Sequence, residues 1–249
     1  MWSRSELKSR AKEVLHLNYW KAVLVSLILI FIGGNSNSVS VSRTTSSSSG
    51  GHASSHGYIY SPEEWRYILT FTSLAFLIVI VAFVFFLALS IFVFNPLIVG
   101  CYRYFILCGR KPSNMGELVF AFNHSYINVV RVMFFRGLYT FLWSLLFIIP
   151  GIIKSYEYRM IPYLLAENPE MDMEEAFSLT RQMMTGDKAN TFILDLSFIG
   201  WNLLSALTLG ILSIFYVNPY QHLTNAQLYE VLLQKLALTA NRESYNPYL

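Results

Sequence analysis

The chain has 249 residues, of which 54% are apolar, 16% are aromatic and 13% are charged, with 18 Lys and Arg residues against 15 Asp and Glu residues. Soluble domains carry about 25% charged residues, and the apolar residues here gather into long uncharged runs. The composition therefore excludes a water-soluble enzyme as the expected class and indicates a single integral membrane domain over residues 1–249.

The first element is a predicted amphipathic helix over residues 1–17. Ser3 can cap it, with Glu6 three residues on, and an apolar stripe that includes Leu7 and Leu15 follows helical spacing. Basic side chains beside an apolar stripe favour an anionic lipid surface, so lipids of the inner leaflet are the expected partner. The alternative is that the basic residues form a solvated face and only determine which side of the membrane the helix occupies. The basic residues are Arg4, Lys8, Arg10 and Lys12.

Long uncharged runs predict six membrane spans, because about 20 apolar residues cross a hydrocarbon core of about 30 Å. The clearest run has no charged residue from Tyr67 to Tyr102. The predicted spans are 18–34, 67–98, 126–149, 151–167, 189–208 and 209–233. Lys154, Glu157 and Arg159 fall within the fourth segment, so an interfacial helix there, leaving five spans, is the alternative.

The segments between the spans differ in composition. Residues 35–66 are rich in Ser and cannot bury enough apolar surface to fold, which predicts a disordered loop. Segments 99–125 and 168–188 and the tail 234–249 are predicted to be cytoplasmic, and 168–188 contains a second amphipathic helix. Lys and Arg residues concentrate before the first span and between the second and third, so both termini are expected inside and the Ser-rich loop outside.

An internal repeat supports this arrangement. The sequence LSIFVFNP at 89–96 recurs as LSIFYVNP at 212–219, and together with a weaker central copy it predicts three helical hairpins. A proline in each returning segment is expected to kink its helix, and the Asn amides can cap helices or bond across them. We predict structural roles for these residues, which are Asn95, Pro96, Pro162, Asn218 and Pro219.

Five motifs together resemble one known family. They are NYWKAVLVSLIL (18–29), LWSLLFIIPGIIK (142–154), IPYLLAENP (161–169), DLSFIGW (195–201) and VNPY (217–220). The chain is similar here to the bacterial integral membrane family catalogued as domain of unknown function 975. The resemblance implies a multi-pass protein of the bacterial plasma membrane, and it implies no activity.

Among the ionisable residues of the predicted spans, four are candidates for a functional site: Lys154, Glu157, Arg159 and Asp195. Charges at this depth are costly and mark candidate sites. Asp195 lies about 10 Å past Lys188 at 1.5 Å per residue, a depth similar to that of Arg159, which predicts a pair between the fourth and fifth spans. Lys154 and Glu157 can pair within one helix. Such pairs either fix helix packing or line a pathway for a proton, ion or small solute.

No catalytic, cofactor-binding or metal-binding motif is present in the sequence. We therefore expect a protein that is not an enzyme and that has no cofactor and no metal. The leading hypothesis is a scaffold or regulator of envelope components with a membrane protein as partner. The alternative is a small transporter that uses the polar residues between the fourth and fifth spans. The basic residues cluster beside the spans, which argues against nucleic acid as a partner.

Overall fold

The structure is a computed structural model that describes residues 2–32, 62–110 and 114–244, and every regular element in these ranges is helical. The predicted all-helical class is thus confirmed for the described residues. The α-helices are α1 (Arg4–Leu17), α2 (Tyr19–Ile32), α3 (Pro62–Leu89), α4 (Asn95–Arg110), α5 (Phe120–Asn123), α6 (Tyr126–Leu146), α7 (Ile148–Glu157), α8 (Ile161–Glu167), α9 (Met173–Met184), α10 (Lys188–Leu196), α11 (Ile199–Leu207) and α12 (Asn218–Ser244). Two π-helical turns, Ser90–Phe94 and Ser213–Val217, and one 3-10 helix, Met115–Val119, complete the set.

Two helical stretches are long and apolar enough to cross a membrane, namely Leu69–Arg110 and Tyr126–Leu146. A third is added if α1 and α2, which bend by 107° at their junction, are counted as one span. Among the described residues, therefore, two or three helices can span a bilayer by length and composition. The six spans expected from the sequence stay a prediction.

The chain divides into two compact units, Met1–Ser36 with Ser90–Leu249 and Asn37–Leu89. In the second unit, α3 exposes large apolar side chains along its length, such as Phe71 at 71% and Phe83 at 66%. An exposed apolar surface of this kind marks contact with lipid or another protein. The predicted Ser-rich loop lies almost wholly outside the described residues.

The core of the first unit is built from α4, α8 and α12, which pack against one another. Large side chains from all three helices are almost fully buried, including Phe105, Leu164 and Tyr229. The helices α1, α2, α6 and α9 pack around this centre. The core therefore joins both ends of the described chain.

The predicted fourth span, 151–167, is broken into α7 and α8 by a turn at residues 158–160. Pro162 explains the break, because proline has no N–H for a helical hydrogen bond and its ring clashes with the carbonyl four residues earlier. That carbonyl belongs to Tyr158, and it accepts a hydrogen bond from Arg136 Nε at 3.0 Å. Arg136 on α6 therefore replaces the helical N–H donor that the Tyr158 carbonyl lacks because of the proline.

The two prolines of the repeated motif have the same local setting. Pro96 and Pro219 are each the second residue of an α-helix that directly follows a π-helical turn. The carbonyl four residues before Pro96 belongs to Phe92, and it accepts a hydrogen bond from the Tyr126 hydroxyl at 2.6 Å. The matching sequences thus form matching backbones at both places.

The predicted fifth and sixth spans also differ from simple helices. Segment 189–208 is divided between α10 and α11, and at the break Ser197 donates from its hydroxyl to the Leu194 carbonyl at 2.5 Å. In the next segment Gly210 has a φ of 85°, a left-handed conformation that glycine adopts without strain. The helix α12 then runs from Asn218 to Ser244, well into the predicted tail, and residues 217–226 are buried.

The hairpin of α6 and α7 depends on a close approach at Gly151. A Cβ atom at this position would lie 2.6 Å from the Ser144 Cα atom and 2.5 Å from its Oγ atom. Both distances are too short for a real contact, so only glycine allows the two helices to approach this closely. By contrast, a Cβ at Gly137 on α6 would meet no atom within 4 Å.

We expect Gly151→Ala to lower the free energy of unfolding by about 1–3 kcal/mol, because overpacking forces the two helices apart. The matched control Gly137→Ala should be neutral or slightly stabilising, by up to about 1 kcal/mol, since alanine favours helix more than glycine. Thermal unfolding of the full chain in detergent measures both. Equal midpoints for the two variants would contradict the close approach.

Candidate functional site

The charged residues predicted within the spans meet at one place, where α7 ends and α10 begins. We call this set of side chains the polar cluster. Its members come from α7, the turn after it, α9, α10 and α12, and they are Lys154, Tyr156, Glu157, Arg159, Arg181, Lys188, Asp195 and Asn225. All of its hydrogen bonds centre on two carboxylates and one guanidinium.

The first half of the polar cluster is the ion pair of Arg159 and Asp195. The guanidinium binds the carboxylate through two hydrogen bonds, of 2.6 Å from Nη1 and 3.0 Å from Nη2. Only 5% of the Arg159 side chain and 15% of the Asp195 side chain are exposed. The pairing predicted from their similar depths is confirmed. A bidentate pair of this kind fixes both direction and distance.

Two further residues complete this pair. The Tyr156 hydroxyl donates to Asp195 Oδ2 at 2.8 Å, and Arg159 Nη2 donates to Asn225 Oδ1 at 2.9 Å. These bonds join α7, α10 and α12. Neither residue was predicted from the sequence, although Asn225 lies seven residues after Asn218, two helical turns away along an unusually polar stretch.

The second half of the polar cluster surrounds Glu157, whose side chain is only 5% exposed. Its carboxylate accepts hydrogen bonds from Lys154 at 2.7 Å, Lys188 at 2.5 Å and Arg181 at 3.2 Å. The local pair with Lys154 is confirmed. The other two cations were missed because they come from segments far along the chain. The backbone carbonyl of Glu157 also accepts from the Thr180 hydroxyl, at 2.9 Å.

This arrangement joins several helices through two carboxylates and one guanidinium. Each of the two carboxylates accepts three hydrogen bonds, those of Glu157 from three cations and those of Asp195 from Arg159 and Tyr156. Within the described ranges no group of three or more His, Cys, Asp and Glu side chains is arranged to hold a metal ion. The geometry is that of a structural clamp.

The repeat residues lie outside the polar cluster. Asn95 and Asn218 are the first residues of α4 and α12, next to the buried Pro96 and Pro219, and Pro162 is buried near the start of α8. Their positions at helix starts agree with a role in shaping the backbone.

The predicted stripe on α1 faces protein instead of lipid. Leu7, Ala11 and Leu15 are at most 4% exposed, and α1 packs chiefly on α12. The sequence cannot distinguish burial against lipid from burial against another helix, because both remove an apolar stripe from water equally well. The apolar stripe is therefore covered by α12.

Two of those basic residues lie against aromatic rings. Lys8 Nζ is 4.4 Å from the ring centre of Phe198, and Lys12 Nζ is 5.8 Å from that of Tyr220. Burial lowers the pKa of the Lys8 ammonium, and the like charges of Lys12 and Arg4 lower it further. Arg10 instead pairs with Glu6 at 2.6 Å on the exposed side. A lipid partner for these residues stays a prediction.

We expect Arg159→Met to lower the free energy of unfolding by about 3–5 kcal/mol, since Asp195 would be left buried without its cation. The double variant Arg159→Met with Asp195→Leu should recover most of this loss, because no uncompensated charge remains. Thermal unfolding of the purified chain measures both. As a control, Glu6→Gln removes an exposed pair and should leave the midpoint nearly unchanged. A double variant no more stable than the single one would contradict the clamp.

Comparison with known proteins places the polar cluster within a recognised family. The family model described as "Protein of unknown function (DUF975)" matches residues 66–236, which include every member of the polar cluster. The motif at 18–29 lies outside the matched residues. No curated protein and no solved structure matches the chain. Since the match covers more than half of the sequence, the protein belongs to the family of unknown function DUF975.

Proposed function

We propose that this protein is a multi-pass protein of the bacterial plasma membrane, without enzymatic activity, that organises or regulates other envelope components through its helices. The observation that carries the proposal is that both carboxylates of the polar cluster, Glu157 and Asp195, are held by several donors. A solute pathway needs a polar group that can exchange partners, whereas these groups connect α7, α9, α10 and α12 to one another. A rigid helical frame suits a protein that presents surfaces to partners.

Exposed apolar hairpin ends support insertion into a membrane. Between α6 and α7, Phe147 is 66% exposed and Ile148 is 78% exposed. After α11, Leu207 is 78% and Leu209 is 81% exposed. Turns that face water normally carry polar residues, so these apolar ends favour a lipid environment. With the matching π-helical turns they support three related hairpins that enter from one side.

The contacts of Asp187 support a common side for both termini. Its carboxylate accepts from Trp2 Nε1 at 3.1 Å and from Lys235 Nζ at 2.5 Å. The same lysine also donates to the Thr185 carbonyl, at 3.2 Å, just after α9. The start of the chain, the end of α9 and the later part of α12 therefore lie together. The concentration of Lys and Arg near the start of the chain favours the cytoplasm for this side.

A cysteine at Ser178, on the exposed face of α9, tests the orientation. In a chain with Cys101 and Cys108 replaced by Ala, Ser178→Cys should react with a membrane-impermeant maleimide only after cells are opened. The matched control Ala176→Cys is on the same helix at a fully buried position and should stay unlabelled in both states. Labelling of Ser178→Cys in intact cells would place α9 outside and refute the proposed orientation.

The alternative function, a small-solute or ion transporter, requires Arg159 and Asp195 to separate. We expect the protein in liposomes to pass no more protons or potassium than protein-free liposomes, with pyranine and a potassium-sensitive dye as readouts. Photo-crosslinking from an exposed position such as Phe141 should capture one reproducible membrane protein in cells. Flux that is lost in a folded Asp195→Asn variant would favour transport over the scaffold.

A further inference from the structure

The apolar hairpin ends are shorter than a double crossing of the bilayer requires. Around the first end, the uncharged run 137–153 has 17 residues, bounded by Arg136 and Lys154. Around the second, the exposed apolar side chains that follow Asp195 extend from Leu196 to Phe215, over 20 residues. Two passes through about 30 Å of hydrocarbon need about 40 apolar residues. Each hairpin has about half of that length. The helix α6 alone is long enough to cross a membrane by length and composition. Its first half, however, carries Arg131 and Arg136 and packs into the core, so only its second half is available to lipid.

The contacts of the first hairpin also indicate that it extends through only about half of the bilayer. Its returning arm, α7, reaches Glu157 ten residues after Phe147, which is about 15 Å at 1.5 Å per residue. There Glu157 already binds Lys188 at the start of α10 and Arg181 on α9. The Arg181 side chain is 61% exposed and that of Lys188 is 33% exposed. This layer of cations suits the headgroup level, because basic side chains reach for the membrane surface.

The second hairpin has a similar layer at a similar distance from its end. Phe198 lies eleven residues before Leu209 and Tyr220 lies eleven residues after it, or about 16 Å along each arm. These two rings contact Lys8 and Lys12 of α1. Beyond Phe215 the chain turns into the buried core, since residues 217–226 are buried. Both hairpins thus extend about 15 Å past a layer of positive charge.

The backbone N–H groups at the second hairpin end are all hydrogen-bonded, which suits burial in lipid. Each N–H from Thr208 to Leu212 has an acceptor within the turn, at 2.9–3.3 Å. The last of these is unusual, because Leu212 N donates to the Thr208 hydroxyl. In hydrocarbon every unpaired backbone group is costly, while a turn in water has no such need. At the first end Pro150 has no N–H, and Phe147 N donates to the Trp143 carbonyl at 3.1 Å.

We propose that the α6–α7 hairpin and the hairpin of α11 with Ser213–Val217 are re-entrant, so that each enters from the cytoplasmic side and turns back near the middle of the bilayer. Acyl chains of the inner leaflet cover both ends, and the cations at their bases lie among the headgroups. The inference rests on the proposed membrane location and orientation. In the six-span prediction each hairpin crosses the bilayer twice, whereas a re-entrant hairpin does not cross it. The helix α9 is cytoplasmic in both arrangements.

Single cysteines at the hairpin ends test the proposal in the full chain lacking Cys101 and Cys108. We expect Ile148→Cys and Leu209→Cys to resist an impermeant maleimide in intact cells and also in opened cells. Both should label fully after denaturation in SDS. Ser178→Cys labels after opening and serves as the accessible control, while Ser48→Cys in the predicted outer loop shows that the reagent reaches the outer face.

Other labelling patterns of the hairpin-end cysteines would contradict the re-entrant arrangement. Labelling of Ile148→Cys or Leu209→Cys in intact cells would show that the hairpin crosses the bilayer, which overturns the proposal and favours six spans. Labelling only after opening would place the ends in the cytoplasm, and it would overturn membrane insertion of the hairpins as well. Labelling of the Ser178→Cys control in intact cells would instead refute the proposed orientation. If either variant misfolds by size-exclusion chromatography, Phe147→Cys and Leu207→Cys, at neighbouring exposed positions, give the same decision.

Discussion

The buried ion pair of Arg159 and Asp195 is the interaction on which the arrangement of the helices depends. Arg159 lies in the turn that Pro162 opens between α7 and α8, and from there its guanidinium reaches both α10 and Asn225 on α12. A break in a buried helix exposes polar backbone groups, and these need partners. Arg136 on α6 donates to the Tyr158 carbonyl, so one arginine from α6 and one from the turn itself stabilise a single break.

A second constraint is the amount of apolar sequence available to each hairpin. Lipid requires apolar side chains and fully bonded backbone over the whole thickness that it covers. The hairpin ends present exposed apolar side chains for only about 15 Å beyond the cations at their bases. The long apolar helix α3 differs from them, because its uncharged run exceeds the length of one span. The chain thus contains elements suited to full and to partial penetration.

These constraints explain why a scaffold suits the structure better than a conduit. Charges inside a transporter must change partners during each cycle, but Glu157 is held by three cations and Asp195 by a bidentate arginine and a tyrosine. Separating them would leave buried charges unpaired, at high cost. The surfaces left for interaction are the exposed apolar helices and the basic side chains of α1.

Composition and periodicity by themselves determined that the chain is helical and rich in membrane-capable segments, because apolar content and helical spacing are local properties. They also predicted the pair of Lys154 with Glu157, since residues three apart share a helix face, and the proline breaks, since proline cannot continue the hydrogen-bond ladder. The partnership of Arg159 with Asp195 followed from counting residues from the helix ends.

Only the tertiary structure decided which surfaces face protein and which remain exposed. The stripe of Leu7, Ala11 and Leu15 would be satisfied by lipid or by a helix, because apolar burial has no direction, and α12 turned out to cover it. The contacts of Arg181, Lys188 and Asn225 join segments that are distant in the chain, and no local pattern encodes them. The depth of the hairpins likewise follows from contacts that place Lys8, Lys12 and Lys188 beside their bases.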